Sequence, residues 1–435
     1  MKRHQTITAA LSVLLIAACG GGTAPVAVGS FPEPVNILFV GNSYTFARIA
    51  PAMQYNAKGI SDLTAAFNDK NPAGGNSYPV GTGIAPSPCA QTGVGCFEPH
   101  PWGGVPGIFK KFTDIAGLRY NVSMSARNAA TMRGQFLNTA NADWDLRGNI
   151  ASNKWNVVVL QAQSDEPLSP AKAKNGNPVS WRTYVNKIVD YITVGKGGST
   201  TEAEIFGGLS NCTAAVTAAV PGPGLSSANC TTARDIPNNT NANPDAKIYL
   251  YQTWARPDMV EPHLCTAADI TTTNGAPKVD PTCASGANGS AVTGQNTIYY
   301  TGKSQTADNL RDMTNDMRDA FKSLATSNSK IKGIAPVGEA FQRTVDNGLA
   351  KGTGFYNAQG TYDAGGNPVD LWWIDRTHPS VYGSYLAALV LFGTITGVNP
   401  TTLGATDAVA AELGISPTNA ASLQRMAADT IAASK

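Results

Sequence analysis

Five short runs in this chain read as strand candidates, and the clearest of them are continuously apolar rather than alternating. They are Asn36–Val40, Tyr120–Ser125, Trp155–Leu160 (WNVVVL), Ala246–Gln252 and Ile331–Val337. Strands buried on both faces read this way, and such strands belong to parallel sheets rather than to half-exposed hairpins. Helical spacing lies between them. Trp181, Val185, Ile188 and Ile192 make one stripe, and Leu310, Met313, Met317, Phe321 and Leu324 make another, the methionines as core packing. Ser380–Gly397 reads as a last helix, entered just after Pro379. Strands alternating with helices predict an α/β fold: a three-layer α/β/α sandwich around a central parallel sheet of about five strands. Ligands in such sheets bind beyond the carboxyl ends of the strands.

The stretches near 51–105, 196–245 and 261–298 are rich in Gly, Pro, Thr and Asn and carry little periodicity. They read as loop insertions in a single domain over 35–435, not as a second domain. Six cysteines fall inside them: Cys89, Cys96, Cys212, Cys230, Cys265 and Cys283. An even number in an exported chain argues for disulfides. Near-neighbour pairing is the simplest, Cys89–Cys96, Cys212–Cys230 and Cys265–Cys283, each stapling one loop. The chain has no C-x-x-C and only 4 histidines, so no metal site and no cofactor are expected.

The export expectation comes from the N-terminus. Lys2, Arg3 and His4 precede an apolar run, Ile7–Ala18, that is too short to span a bilayer. The run ends Ile16-Ala17-Ala18-Cys19 and is followed by three glycines, which resembles a bacterial lipobox. Residues 1–19 then read as a lipoprotein signal peptide with Cys19 as the lipidated residue. Residues 20–34 read as a flexible tether. The alternative is an ordinary signal peptide cleaved near Ala18. The expected location is the outer membrane or cell surface, with membrane contact through the lipid anchor only. Charged residues make up 14% of the chain and the net charge is +2, so no nucleic-acid partner is expected. The chain is expected to be a monomer.

The tetrapeptide GNSY occurs twice, at Gly41–Tyr44 and at Gly75–Tyr78. Ser43 lies just past the first strand, where Gly41 permits a tight turn and a helix is expected to follow. Ser77 has no strand before it and Pro79 after it, so it reads as a loop serine. A serine nucleophile needs a base, and the base needs an orienting partner. His4 leaves with the signal peptide, and His100 and His263 lie in insertions. His378 lies three residues after Asp375 in WWIDRTHPS, so one loop can present both imidazole and carboxylate. The structural alternatives are a helix-capping Ser43 and a packing His–Asp pair.

A G-x-S after the first strand, with D-x-x-H before the C-terminal helix, resembles the SGNH (GDSL-like) hydrolase superfamily. NILFVGNSYT looks like its first block, with Asn42 where many members carry Asp. The resemblance implies a flavodoxin-like fold and a Ser43–His378–Asp375 triad. WNVVVLQAQSDEP falls where the third block is expected. There Gln161 takes the glycine place and Gln163 the asparagine place, so the Gln163 amide would stand in an oxyanion hole with the N–H of Ser43. The second block implies a third donor within ARNAATMRG, from Ala129 if its φ is negative, or from Ala130. The chain has no G-x-S-x-G, which argues against an ordinary nucleophile elbow.

The resemblance implies a serine esterase acting on a small-molecule or polysaccharide ester, with acetyl groups on glycans as one candidate. The rival readings are a non-catalytic glycan-binding lipoprotein and a lipase or polyester-type hydrolase. Trp102 is expected either as an exposed platform or as the anchor of its loop. Trp372 and Trp373 are expected in the core or cleft wall, and Arg256 and Asp258 at the cleft.

Overall fold

The computed structural model describes residues 33–64, 100–137, 145–218, 227–265, 272–273, 276–277, 294–357 and 369–435. Cys19, Ser77, Cys89, Cys96, Cys283 and the Cys265 side chain lie outside the described residues, as does most of the 20–34 segment.

The apolar runs form one parallel sheet. Its strands are β1 (Val35–Gly41), β2 (Ser61–Asp62), β3 (Tyr120–Ala126), β4 (Val157–Gln161), β5 (Lys247–Tyr251) and β6 (Ile331–Ala335). They lie in the order β6-β5-β4-β1-β3-β2. β1 is central, paired in register with β3 through Gly41↔Ala126 and with β4 through Val40↔Leu160. The ends of β1, β3 and β4 therefore meet on one edge. About five strands were expected and six are found. The extra one, β2, is two residues long and carries no sequence signal.

Helices flank the sheet. α1 (Gly104–Ile115) packs with α5 (Val381–Thr396), where Phe112 meets Tyr385 at 5.6 Å. α2 (Pro178–Thr193) meets α3 (Thr306–Ser327) through Trp181 and Phe321 at 5.0 Å. α4 (Val337–Asp346) follows β6 directly, and α6 (Pro417–Ala433) packs outside α5. The run read as strand to Val337 thus ends at Ala335, and Val337 starts a helix instead. α5 is apolar on all sides because it is buried along most of its length. Ser380 caps it by accepting the Gly383 N–H at 3.2 Å, and Gly397 ends it at φ 76°. Gly383 is required there, since a Cβ would lie 2.3 Å from the Leu371 carbonyl oxygen. No helix among the described residues is long and apolar enough to cross a membrane.

The 196–245 stretch is more ordered than its composition suggests. Gly198–Thr200 pairs antiparallel with Arg234–Ile236, and Thr201 with Glu204 forms a capping box over Glu202–Ile205. Cys212 and Cys230 form a disulfide and are both fully buried.

Candidate active site

β1 delivers Ser43 into a tight turn over the end of the sheet. At Gly41 a Cβ would sit 2.0 Å from Thr45 Oγ1 and 2.6 Å from Gln161 Oε1, so a side chain has no room. Gln161, the last residue of β4, is fully buried, and its Oε1 accepts from the Asn42 N–H and the Thr45 hydroxyl, each at 2.9 Å. The Asn42 carbonyl accepts the N–H groups of Thr45 at 2.8 Å and Phe46 at 3.1 Å. Its side chain accepts the Tyr44 N–H at 3.1 Å and donates to the Ala130 and Ala162 carbonyls at 3.4 Å. No helix follows, contrary to expectation. The turn continues as local turns and takes a left-handed residue at Ala47, whose φ is 49°.

The other arm of the site is the segment from Leu371 to Ser380. It folds back on itself like a hairpin: Ser380 N–H donates to the Leu371 carbonyl at 2.9 Å, and Trp373 N–H to the His378 carbonyl at 2.8 Å. At its tip Asp375 Oδ1 accepts the N–H groups of Thr377 at 3.0 Å and His378 at 2.9 Å. Asp375 Oδ2 lies 2.6 Å from His378 Nδ1, and His378 Nε2 lies 2.8 Å from Ser43 Oγ. The Tyr44 ring meets the imidazole edge-on at 5.5 Å and stacks on Trp254 at 4.2 Å, which stacks on Phe341 at 4.7 Å. Residues 335 positions apart are thus brought into one hydrogen-bonded line.

Asp375 is held well below the ordinary carboxylate range. Burial opposes ionisation, but the His378 charge, its ring hydrogen bond and the two loop N–H groups outweigh it. An ionised carboxylate only accepts, so the proton between the two groups belongs to Nδ1. Nε2 is then left to accept from the Ser43 hydroxyl. The arrangement can therefore deprotonate Ser43 as it attacks and stabilise the imidazolium that results. Ser43 is 4% exposed and His378 9%.

The expected oxyanion donors fare differently. The Ser43 and Ala129 N–H groups have no acceptor among the described residues. The Ala130 N–H donates to the Arg127 carbonyl at 3.2 Å. Ala129 does not have the negative φ expected of it. Its φ is 54°, a left-handed conformation that glycine adopts freely and alanine does not. Gln163 Oε1 accepts the Asp165 N–H at 3.2 Å, which leaves its Nε2 as the donor end.

Trp102 is no exposed platform. It is fully buried, stacked between Phe46 at 3.9 Å and His100 at 3.8 Å, and its N–H donates to Asp62 Oδ2 at 2.8 Å. Trp372 and Trp373 are buried, and Trp372 Nε1–H donates to the Ala255 carbonyl at 3.0 Å. Arg256 and Asp258 are buried against each other instead of lining the cleft. Sequence reading missed Arg376, whose φ is 57° and whose guanidinium holds the Phe355 carbonyl and the Asp370 carboxylate. Glu261 in turn accepts the N–H groups of Gly354 and Phe355 at 2.9 and 2.7 Å, so the hairpin is braced from below. Among the described residues no cluster of three His, Cys, Asp or Glu could hold a metal ion.

No protein-family model matches the sequence, and no curated protein matches it significantly. Among solved structures, the chain is similar to a DUF4886 family protein from Bacteroides uniformis. Identity is 12%, covering 92% of this chain and 95% of that one, with a TM-score of 0.40. It is also similar to a carbohydrate acetylesterase from Sinorhizobium meliloti, at 9% identity over 83% and 99% of the two chains with a TM-score of 0.36. A candidate SGNH hydrolase from Slackia heliotrinireducens is a third, at 16% identity over 83% and 100%, TM-score 0.32.

Proposed function

We propose that the protein is a serine esterase of SGNH type, with Ser43 as nucleophile, His378 as general base and then acid, and Asp375 as the group that fixes the imidazole. The observation that supports this reading is the continuous line Ser43 Oγ–His378 Nε2 at 2.8 Å and His378 Nδ1–Asp375 Oδ2 at 2.6 Å. Ser43 Oγ bonds to the ester carbonyl carbon while its proton passes to Nε2. The carbon–oxygen bond to the alcohol breaks, and the same proton leaves with the alkoxide. Water then repeats the sequence on the acyl-enzyme, returning Ser43 and releasing the acid. The Ser43 N–H and the Gln163 amide hold the oxyanion, with the Ala129 N–H as a third donor because it has no acceptor among the described residues even though its φ is positive; each is worth about 3 kcal/mol of transition-state stabilisation.

Acetyl esters, including those on glycans, are the substrates this reading puts first. The N-terminal pattern supports a location outside the cytoplasm, with a tether through a lipidated Cys19. A membrane-bound wild type and a released Cys19→Ser form would test the anchor.

The test of the activity uses the domain from about residue 24 onward with p-nitrophenyl acetate and p-nitrophenyl palmitate. Ser43→Ala, His378→Ala and Ser77→Ala run beside the wild type. Ser43→Ala and His378→Ala should each lose on the order of 10³-fold or more in kcat/KM, with Ser77→Ala unchanged. Hydrolysis that survives in Ser43→Ala would sink the assignment.

A further inference from the structure

A fully buried arginine sits where the loops after β4 and β5 meet the D-x-x-H loop. Arg256 is 1% exposed and belongs to the loop after β5. Its Nε–H donates to Asp258 Oδ1 at 3.0 Å, and its Nη2 also donates to the Asp258 carboxylate. Nη1 donates to Ser164 Oγ at 3.0 Å and lies 3.6 Å from Asp165 Oδ1, both in the loop after β4. Nη2 reaches Thr377 Oγ1 at 3.3 Å, inside the D-x-x-H loop. We propose that Arg256 is a positioning residue that sets the His378–Asp375 loop against the loop carrying Gln163. The inference rests on the esterase reading above.

Both ends of this link lead to the proposed chemistry. On one side, Thr377 stands between Asp375 and His378. Its N–H donates to Asp375 Oδ1, and its hydroxyl donates to the Asp375 carbonyl at 3.3 Å. On the other side, Ser164 and Asp165 follow Gln163 directly, and the Asp165 N–H fixes which end of the Gln163 amide is free to donate. The guanidinium therefore ties the base to the oxyanion donor through one planar fork. Lysine has a single donor head and cannot span Asp258, Ser164 and Thr377 together. Two further bonds hold the same parts together: Trp254 Nε1–H to the Thr377 carbonyl at 3.1 Å and Thr253 Oγ1 to the Ser164 carbonyl at 2.8 Å. A buried ion cluster is a poor source of stability compared with a packed apolar group. A positioning role gives this one a reason.

Thr377→Val keeps the shape and removes the hydroxyl that accepts from Arg256 and donates to the Asp375 carbonyl, so the double variant with Arg256→Lys is needed to isolate the Arg256 link. Steady-state kinetics on p-nitrophenyl acetate should show kcat lowered on the order of 10- to 100-fold with KM little changed. Thr377→Ser should restore it. Arg256→Lys should also lower kcat, and the double variant Arg256→Lys/Thr377→Val should be no worse than the poorer single one. In parallel, proton NMR should show the downfield Nδ1–H signal of His378 moved or broadened in Thr377→Val and restored in Thr377→Ser. Unchanged kcat and an unchanged NMR signal in Thr377→Val, or fully additive losses, would overturn the proposal. If Ser43→Ala hydrolysed the ester as well as the wild type, the esterase reading would be the part that failed. The NMR signal would then still decide whether Arg256 positions the loop.

Discussion

Gln161 reaches from the end of β4 to the turn after β1 and takes the Asn42 N–H on its side-chain oxygen at 2.9 Å. The Thr45 hydroxyl shares that acceptor. Ser43 lies between these two donors, so one amide oxygen sets the curvature of the nucleophile turn. Gln161→Leu fills the space but leaves a buried N–H without an acceptor. Urea unfolding should show a loss of about 1–3 kcal/mol, and ester hydrolysis should fall with it. A Leu variant as stable and active as the wild type would show that the turn holds its shape without this acceptor.

The same residue shows where sequence reading stops. The strands were legible because continuous apolar runs have few alternatives once they end in Gly or polar residues, and β1, β3, β4 and β5 match those runs to within two residues. Ser43, Asp375 and His378 were legible as a candidate set, since few other histidines compete, and the fold brings the three side chains together. The bracing was not. Gln161 looked like a substitute for a glycine, and nothing in its neighbours says that its oxygen turns toward Asn42, 119 positions away. Arg256 and Thr377 are 121 positions apart, and only the order of strands brings them together. α1 and α4 were missed for a local reason. Val105, Ile108, Phe109 and Phe112 do repeat at helical spacing, but Gly and Pro in the first turn of α1 mask it. α4 begins two residues after a strand, inside the same apolar run.

Ala129 gives a second prediction. Its left-handed φ of 54° places Cβ against the backbone, and the residue is exposed, so no packing compensates. Ala129→Gly removes that strain but makes the unfolded chain more flexible. The two effects oppose each other, and the strain term of about 1–2 kcal/mol is the larger. The variant should unfold at a slightly higher urea midpoint, by up to about 1 kcal/mol, and keep its activity, since the backbone N–H is retained. A clear loss of stability would mean that the loop does not hold this conformation in solution.

The Cys212–Cys230 disulfide closes a loop of sequence separation 18, and among the described residues none of the hydrogen bonds of Ser43, Asp375 or His378 goes to that loop. Removing it as Cys212→Ala/Cys230→Ala should lower stability by about 3 kcal/mol. Below the new melting temperature kcat should be unchanged. Loss of kcat in a protein that remains folded would show that this insertion supports the site after all.

Glu166 supplies a pH-dependent term. It is buried beside the Ser43 turn, where its Oε2 accepts the Met132 N–H at 3.1 Å. Burial, with a smaller push from the Asp165 charge, drives its carboxyl up to about 8, against the opposing backbone hydrogen bonds. The folded-state pKa is thus raised above the unfolded value of 4.5. Between the two, folding takes up a proton, so the stability this group contributes is fully present below pH 4.5. It is lost as pH rises toward about 8. Within that window the slope is on the order of 1.4 kcal/mol per pH unit. Glu166→Gln keeps the acceptor for Met132 and cannot ionise. Urea midpoints measured from pH 5 to 9 should fall for the wild type and stay flatter for Glu166→Gln, with the variant the more stable of the two at pH 9. Parallel curves would mean that Glu166 stays ionised in the fold, hydrated or paired, throughout that range.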